Sequence, residues 1–180
     1  MSDSYIATPT AFQGSRIAWN SGWDLKLRDG TLYRFPDSSS ATRPQQAAVT
    51  SIQDRYGNTL TLERDSNKNL TKITSPKGRW ISLTIDGSHR ITKAWDNIGR
   101  VVTYTYDGSG RLTAVKDPAG GLTEYTYDPL HRMLTLKDAK AIVFLTNEYD
   151  ATGRVSRQTQ ADGTTFQFAY TLGARSPRPT

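Results

Sequence analysis

"YTYDGSGRLTAVKDPAGGLTEYTYD", residues 104–128, says nearly the same thing twice: Tyr104-Thr105-Tyr106-Asp107 returns 21 residues later as Tyr125-Thr126-Tyr127-Asp128. Working outward, glycine recurs at Gly57, Gly78, Gly99 and Gly120. Ala141 takes the next slot and Gly163 follows after one extra residue. The aspartates keep the same period at Asp65, Asp86, Asp107, Asp128 and then Asp150. Before each Asp stand residues two apart, such as Leu83 and Ile85, Tyr104 and Tyr106, or Asn147 and Tyr149; Phe168 and Tyr170 close the series. A further apolar slot holds Leu70, Ile91, Leu112, Met133 and Val155, and Arg90, Arg111, Arg132 and Arg154 precede the last four. Several families of positions sharing one period identify a tandem repeat.

Within one unit, Val102, Tyr104 and Tyr106 alternate with Thr103 and Thr105, the period of a half-buried strand. "DGSG" (Asp107 to Gly110) is turn chemistry, "RLTAVK" (Arg111 to Lys116) reads as a second strand, and "DPAGG" (Asp117 to Gly121) as a second turn. Each period therefore predicts one β-hairpin with two turns of about four residues. Leu112 and Val115 are three apart, as are Leu70 and Ile73, and Met133 and Leu136. Strict alternation puts such pairs on opposite faces, so the recurrence predicts a built-in bulge or strong local twist.

Ahead of the array, "WDLKLRDGTLYRF" (Trp23 to Phe35) alternates around Asp29-Gly30, the signal of a two-residue hairpin turn in a divergent first unit. "PDSSSATRPQQ" (Pro36 to Gln46) reads as a loop. The expected organisation is a flexible segment 1–15, the divergent hairpin and loop 16–50, the repeat array 51–172 and a disordered tail 173–180. The fold class is all-β: tandem hairpins in one twisted, curved antiparallel sheet, with open strand edges available to neighbouring repeats or to self-association.

Composition narrows the function. The chain has 180 residues, nine Tyr, four Trp, 36% hydrophobic residues and no cysteine, which removes disulfides and thiol chemistry and leaves a thin interior. The net charge of +6 comes from Arg and Lys spread along the chain, which describes a solvated surface rather than a nucleic-acid footprint. Apolar runs are too short for a membrane span, and "MSDSYIATPT" shows no cleaved-signal pattern.

The string "GRVVTYTYDGSGRLTAVKDPAG" (Gly99 to Gly120), repeated in register over about residues 52–170, resembles the rearrangement-hotspot (Rhs) or YD-repeat family. That resemblance implies a spiralling antiparallel sheet that forms a hollow shell. It also implies a non-catalytic structural role with no cofactor: a shell that encloses or presents a toxin domain in bacterial competition or secretion, at a secreted or cell-surface location. Five or six regular units are too few to close a shell, so this chain resembles a segment of one.

The remaining candidates divide between turn chemistry and binding. The Asp series opens turns, where a carboxylate bonds backbone N–H groups two residues on; a metal or acid site needs the carboxylates to converge. His89 and His131 fill the slot that holds Gly110 and Gly153 elsewhere, so they are expected near the left-handed region rather than as metal ligands or bases. Tyr104, Tyr106, Tyr125 and Tyr127 with Arg111 and Arg132 form the candidate ligand platform, because rings stack on sugars and guanidinium groups pair with anions. This gives the second functional reading, a carbohydrate- or surface-glycan-binding module. The first has the same rows serve as the sheet's packing and soluble rim. No nucleophile elbow, phosphate loop, zinc set or dinucleotide fingerprint is present.

Overall fold

The structure, a computed structural model, describes residues 2–4 and 12–171. The expected tail 173–180, and residues 5–11 of the expected flexible segment, lie outside the described residues. By compactness the chain divides into two units, Met1–Val102 and Thr103–Thr180.

The first unit holds β1 (Ser2–Ser4), β2 (Arg16–Trp19), β3 (Gly22–Lys26), β4 (Leu32–Pro36), β5 (Ser51–Gln53), β6 (Thr59–Arg64), β7 (Leu70–Thr74), β8 (Trp80–Ile85) and β9 (Ile91–Asp96). The boundary falls inside β10 (Val101–Tyr106). The second unit continues with β11 (Leu112–Lys116), β12 (Leu122–Tyr127), β13 (Met133–Lys137), β14 (Val143–Tyr149), β15 (Val155–Gln160) and β16 (Thr165–Gln167). Strand order in the sheet follows chain order, and the paired neighbours run antiparallel. This is the hairpin array that the 21-residue period predicts.

The turns are tighter in kind than a plain four-residue reading. In each, the opening residue's N–H donates to the carbonyl four residues on, and its own carbonyl accepts from the N–H three residues on: Asp107 with Arg111 and Gly110 at 3.0 and 2.9 Å, Asp117 with Gly121 and Gly120 at 2.9 and 3.0 Å. Three loop residues, the last at positive φ, make a type I turn with a left-handed residue that matches the strands' twist. The hairpin around Asp29-Gly30 is built the same way. Leu27 donates to Thr31 at 2.8 Å and Gly30, at φ 92°, donates to Leu27 at 3.1 Å, so the two-residue turn expected there is a three-residue one. Asp-Gly suits both types, and pattern alone does not separate them.

The three-residue spacing resolves as a bulge in every regular unit. Tyr104 faces Val115 and Tyr106 faces Leu112, with Thr113 left over between Thr105 and Tyr106. Tyr125 and Tyr127 face Leu136 and Met133 in the same manner, as Leu62 and Arg64 face Ile73 and Leu70. One extra residue on the second strand brings both apolar side chains to the face of the tyrosines. Its hydroxyl is used where it is threonine: Thr71, Thr92 and Thr113 donate to the carbonyls of Glu63, Thr84 and Thr105 at 3.2, 3.4 and 3.2 Å. The extra residue that lengthens the Asp128–Asp150 interval is taken up by a second bulge in β14. There Leu136 faces Leu145 but Lys137 faces Val143, leaving Phe144 over.

Two faces of different chemistry follow in the second unit. Tyr125, Leu136 and Leu145 form one row across three strands; on the opposite face runs the row Thr126, Thr135 and Thr146. That polar face also carries the cross-strand pairs Lys137–Glu124 and Arg157–Glu148. The apolar face is half-buried only: among the described residues no hydrophobic side chain is fully buried, and only Ser15 and Asn147 are buried among polar ones.

The opening of the chain adds strands that pattern did not reveal. Ser2–Ser4 pairs with Arg16–Ala18, and β2 pairs with β3, where Trp19 meets Trp23 edge to face at 5.2 Å. A strand of three polar residues is too short for an alternation to announce it. Loop 37–50 contains a short 3-10 turn, Pro44–Ala47, where the Gln46 side-chain oxygen accepts the N–H groups of Thr42 and Arg43 at 2.7 and 2.9 Å.

Candidate functional site

The repeated residues meet at the hairpin ends. Asp107 Oδ1 accepts the N–H groups of Ser109 and Arg111 at 2.9 and 3.0 Å, and Oδ2 accepts Arg111 Nε at 2.7 Å. Asp128 does the same with Leu130 and Arg132, as does Asp150 with Thr152 and Arg154. One carboxylate thus fixes the turn and clamps the guanidinium four residues on. The second function continues outward. Arg111, Arg132 and Arg154 lie over the rings of Tyr127 and Tyr149, the last residues of β12 and β14, and of Tyr170, three residues beyond β16, at 5.2, 4.6 and 4.4 Å. Each of those tyrosines donates its hydroxyl back to the strand that follows the arginine: to Leu112 O at 2.7 Å, Met133 O at 2.6 Å and Val155 O at 2.7 Å. Arg111 Nη1 also donates to Asp128 O at 3.0 Å.

Each arginine therefore bridges the Asp of its own unit and the Tyr of the next. The electrostatics agree. Backbone and side-chain donation by Arg111 hold Asp107 below its ordinary value; Asp128 is lowered too, with the donors around Arg132 outweighing burial; the Thr152 hydroxyl and Arg154 lower Asp150. Burial, then the neighbouring Tyr125, raises Tyr127. These are carboxylates held ionised, the opposite of a general acid.

Of the six residues singled out in sequence, Arg111, Arg132 and Tyr127 meet in this ladder. Tyr104 and Tyr106 stand on β10 opposite Val115 and Leu112, and Tyr125 on β12 opposite Leu136. His89 and His131 have φ of 62° and 63°, the left-handed turn position expected from the glycine slot, with Ala141 at 62° and Lys68 at 67°. Among the described residues no cluster of His, Asp or Glu could hold a metal ion, and no helix is long and apolar enough to cross a membrane.

Two features were passed over in sequence. Asn147 fills the slot of Tyr104 and Tyr125; it is buried, donating to Met133 O at 3.1 Å and accepting from Gln158 at 2.9 Å. The other is the Asp65 station, where Arg64 stands in the tyrosine slot, Lys68 in the glycine slot and Asn69 in the arginine slot. Three departures from the repeat at one turn are a signal that a slot-by-slot comparison finds.

The RHS repeat family profile matches residues 86–122 and 107–142, the stretch in which these stations are most regular. No curated protein matches. Among solved structures, the chain is similar to the crystal structure of TcdB2-TccC3-Cdc42, at TM-score 0.52 and 18% identity over 83% of this chain and 8% of that one. It is similar in the same measure to TcdB2–TccC3 without its hypervariable C-terminal region, at TM-score 0.53, 18% identity, 83% and 8%. The Photorhabdus luminescens Tc holotoxin pore matches at TM-score 0.52, 18% identity, 83% and 8%. At that identity the likeness is one of fold, and the chain spans about 8% of the length of those it matches.

Proposed function

From a chain built of Rhs/YD repeats, we propose that it works as a wall segment of an Rhs-type shell, a structural module whose apolar face is covered by the shell's contents or by further repeats, with an enclosed toxin domain as the content. The observation that carries this reading is the absence of a fully buried hydrophobic side chain among the described residues, beside a continuous row such as Tyr125, Leu136 and Leu145. A sheet with one apolar face gains its stability by burying that face against a second layer. Exposed large side chains, Phe144, Phe166 and Phe168 among them, point the same way, since contiguous apolar surface on a soluble protein marks a contact.

In this reading Tyr127, Arg111 and Arg132 are the wall's own bracing, and Tyr104, Tyr106 and Tyr125 belong to its covered face. Hydroxyl-radical footprinting of the protein in its native assembly, against the isolated chain, tests it. Tyr104, Tyr125 and Leu136 become protected in the assembly while Thr105 and Thr126 stay labelled. Equal labelling of both faces in the two preparations overturns it, and saturable glycan binding abolished by Arg111→Ala with Arg132→Ala transfers those residues to a binding role.

A further inference from the structure

Loop 37–50 and the Asp65 turn flank an open cavity of about 510 Å3 in the first unit, lined among others by Arg43, Arg64, Lys68, His89, Ser66 and Asn67. Its size is that of a small-molecule site, roughly 300–1,000 Å3. No carboxylate lines it. Asp37 and Asp65 line a smaller neighbouring cavity, which shares Arg64 and Lys68 with this one, and both are tied into turns: Asp37 accepts Ser39 N–H at 2.9 Å, and Asp65 accepts the backbone and side-chain N–H groups of Asn69, both at 2.9 Å.

The cations are held differently from those of the other stations. Arg111, Arg132 and Arg154 are clamped by aspartates. Arg64 instead donates to two carbonyls, Lys68 O at 3.1 Å and Val49 O at 3.4 Å, and its buried Nε has no partner. A guanidinium fixed by neutral acceptors keeps its full charge for another anion. Lys68 occupies the positive-φ slot that glycine fills in other units, at φ 67°, a conformation unfavourable for a side chain. His89 is aligned by a relay in which Asp65 Oδ2 accepts Asn69 Nδ2 and Asn69 Oδ1 meets His89 Nδ1 at 2.8 Å. Asn69 stands where arginine would neutralise the turn carboxylate. All three departures from the repeat thus act on one cavity: two add cations to its lining, and the third orients His89, which also lines it.

We propose that this cavity binds the phosphate group of a small phosphorylated ligand, with Arg43, Arg64 and Lys68 supplying the charge and Ser66 and Asn67 the neutral donors. Three cations on one lining favour a dianion over a monoanion; a phosphomonoester is a dianion at neutral pH and a sulfate ester a monoanion. Backbone-held Arg64 provides the preorganised planar donor, and Arg43 and Lys68 the adaptable ones.

Calorimetric titration of the intact chain with inorganic phosphate, glycerol phosphate and methyl sulfate tests this. Phosphate and glycerol phosphate bind saturably, and methyl sulfate, a monoanion, more weakly. Lys68→Gly weakens phosphate about tenfold, the loss of one charge-assisted contact, while the fold is kept or strengthened because glycine suits the slot. The triple change Arg64→Tyr, Lys68→Gly and Asn69→Arg copies the Tyr106, Gly110 and Arg111 station; it folds, as circular dichroism will report, and abolishes binding. Absence of saturable phosphate binding up to about 10 mM, unchanged affinity in a folded triple variant, or methyl sulfate binding as tight as phosphate would each overturn the proposal. None of these outcomes bears on the wall-segment reading, which rests on the other unit's sheet face.

Discussion

The Asp128 station of the second unit and the Asp65 station of the first are the same turn put to different uses. At Asp128, the carboxylate clamps Arg132 and Arg132 covers Tyr149, so charge is neutralised and the next hairpin is tied on. At Asp65, the same backbone bonds form, but the amide of Asn69 takes the clamp and Arg64 replaces the ring. The turn geometry is set by Asp and one left-handed residue; the other slots are free to brace or to bind. Keeping the slots gives a ladder, and changing three of them together gives a cationic cavity.

Acid breaks the braced stations together and is the largest effect expected. Asp86, Asp107, Asp128 and Asp150 all lie below the ordinary value of 3.8. The unfolded chain therefore takes up protons first as pH falls. The stabilisation is present above pH 3.8 and is lost progressively below it, through the lower folded-state values. Far-UV circular dichroism against pH should be flat from neutrality to that point and fall beneath it, with added salt shrinking the loss because these carboxylates are exposed.

Next in size, Arg132→Ala removes both the clamp and the ring contact and should cost about 2 kcal/mol in urea unfolding. Asn69→Ala, which breaks a neutral amide clamp, should cost about half as much. Equal losses would show that the two stations are braced alike. Smaller again is Tyr149→Phe, about 1 kcal/mol, which removes the hydroxyl but leaves Met133 O with its bond from Asn147. The smallest effect has the opposite sign: His131→Gly and Ala141→Gly relieve left-handed residues and should each stabilise by about 0.5–1 kcal/mol.

Much of this was legible in the sequence because each slot has a single physical cause. The 21-residue period gave the hairpins, the Gly/His slot gave the positive φ at His89 and His131, and the three-residue spacing of Leu112 and Val115 gave the bulge at Thr113. What pattern does not carry is contact between slots. That Arg132 reaches Tyr149, 17 positions on, depends on how the next hairpin folds back beside the turn. The Ser2–Ser4 strand is too short to show a period, and the cavity depends on loop 37–50 returning to the Asp65 turn.

The central claim, that this sheet is one layer of a larger wall, is tested most directly by sedimentation equilibrium of the isolated chain beside its Leu136→Glu variant, which puts a charge in the middle of the Tyr125–Leu136–Leu145 row. A wall segment with an uncovered apolar face associates with rising concentration, and the variant associates less. A wild-type chain that stays a stable, monodisperse monomer up to about 100 μM would contradict the claim.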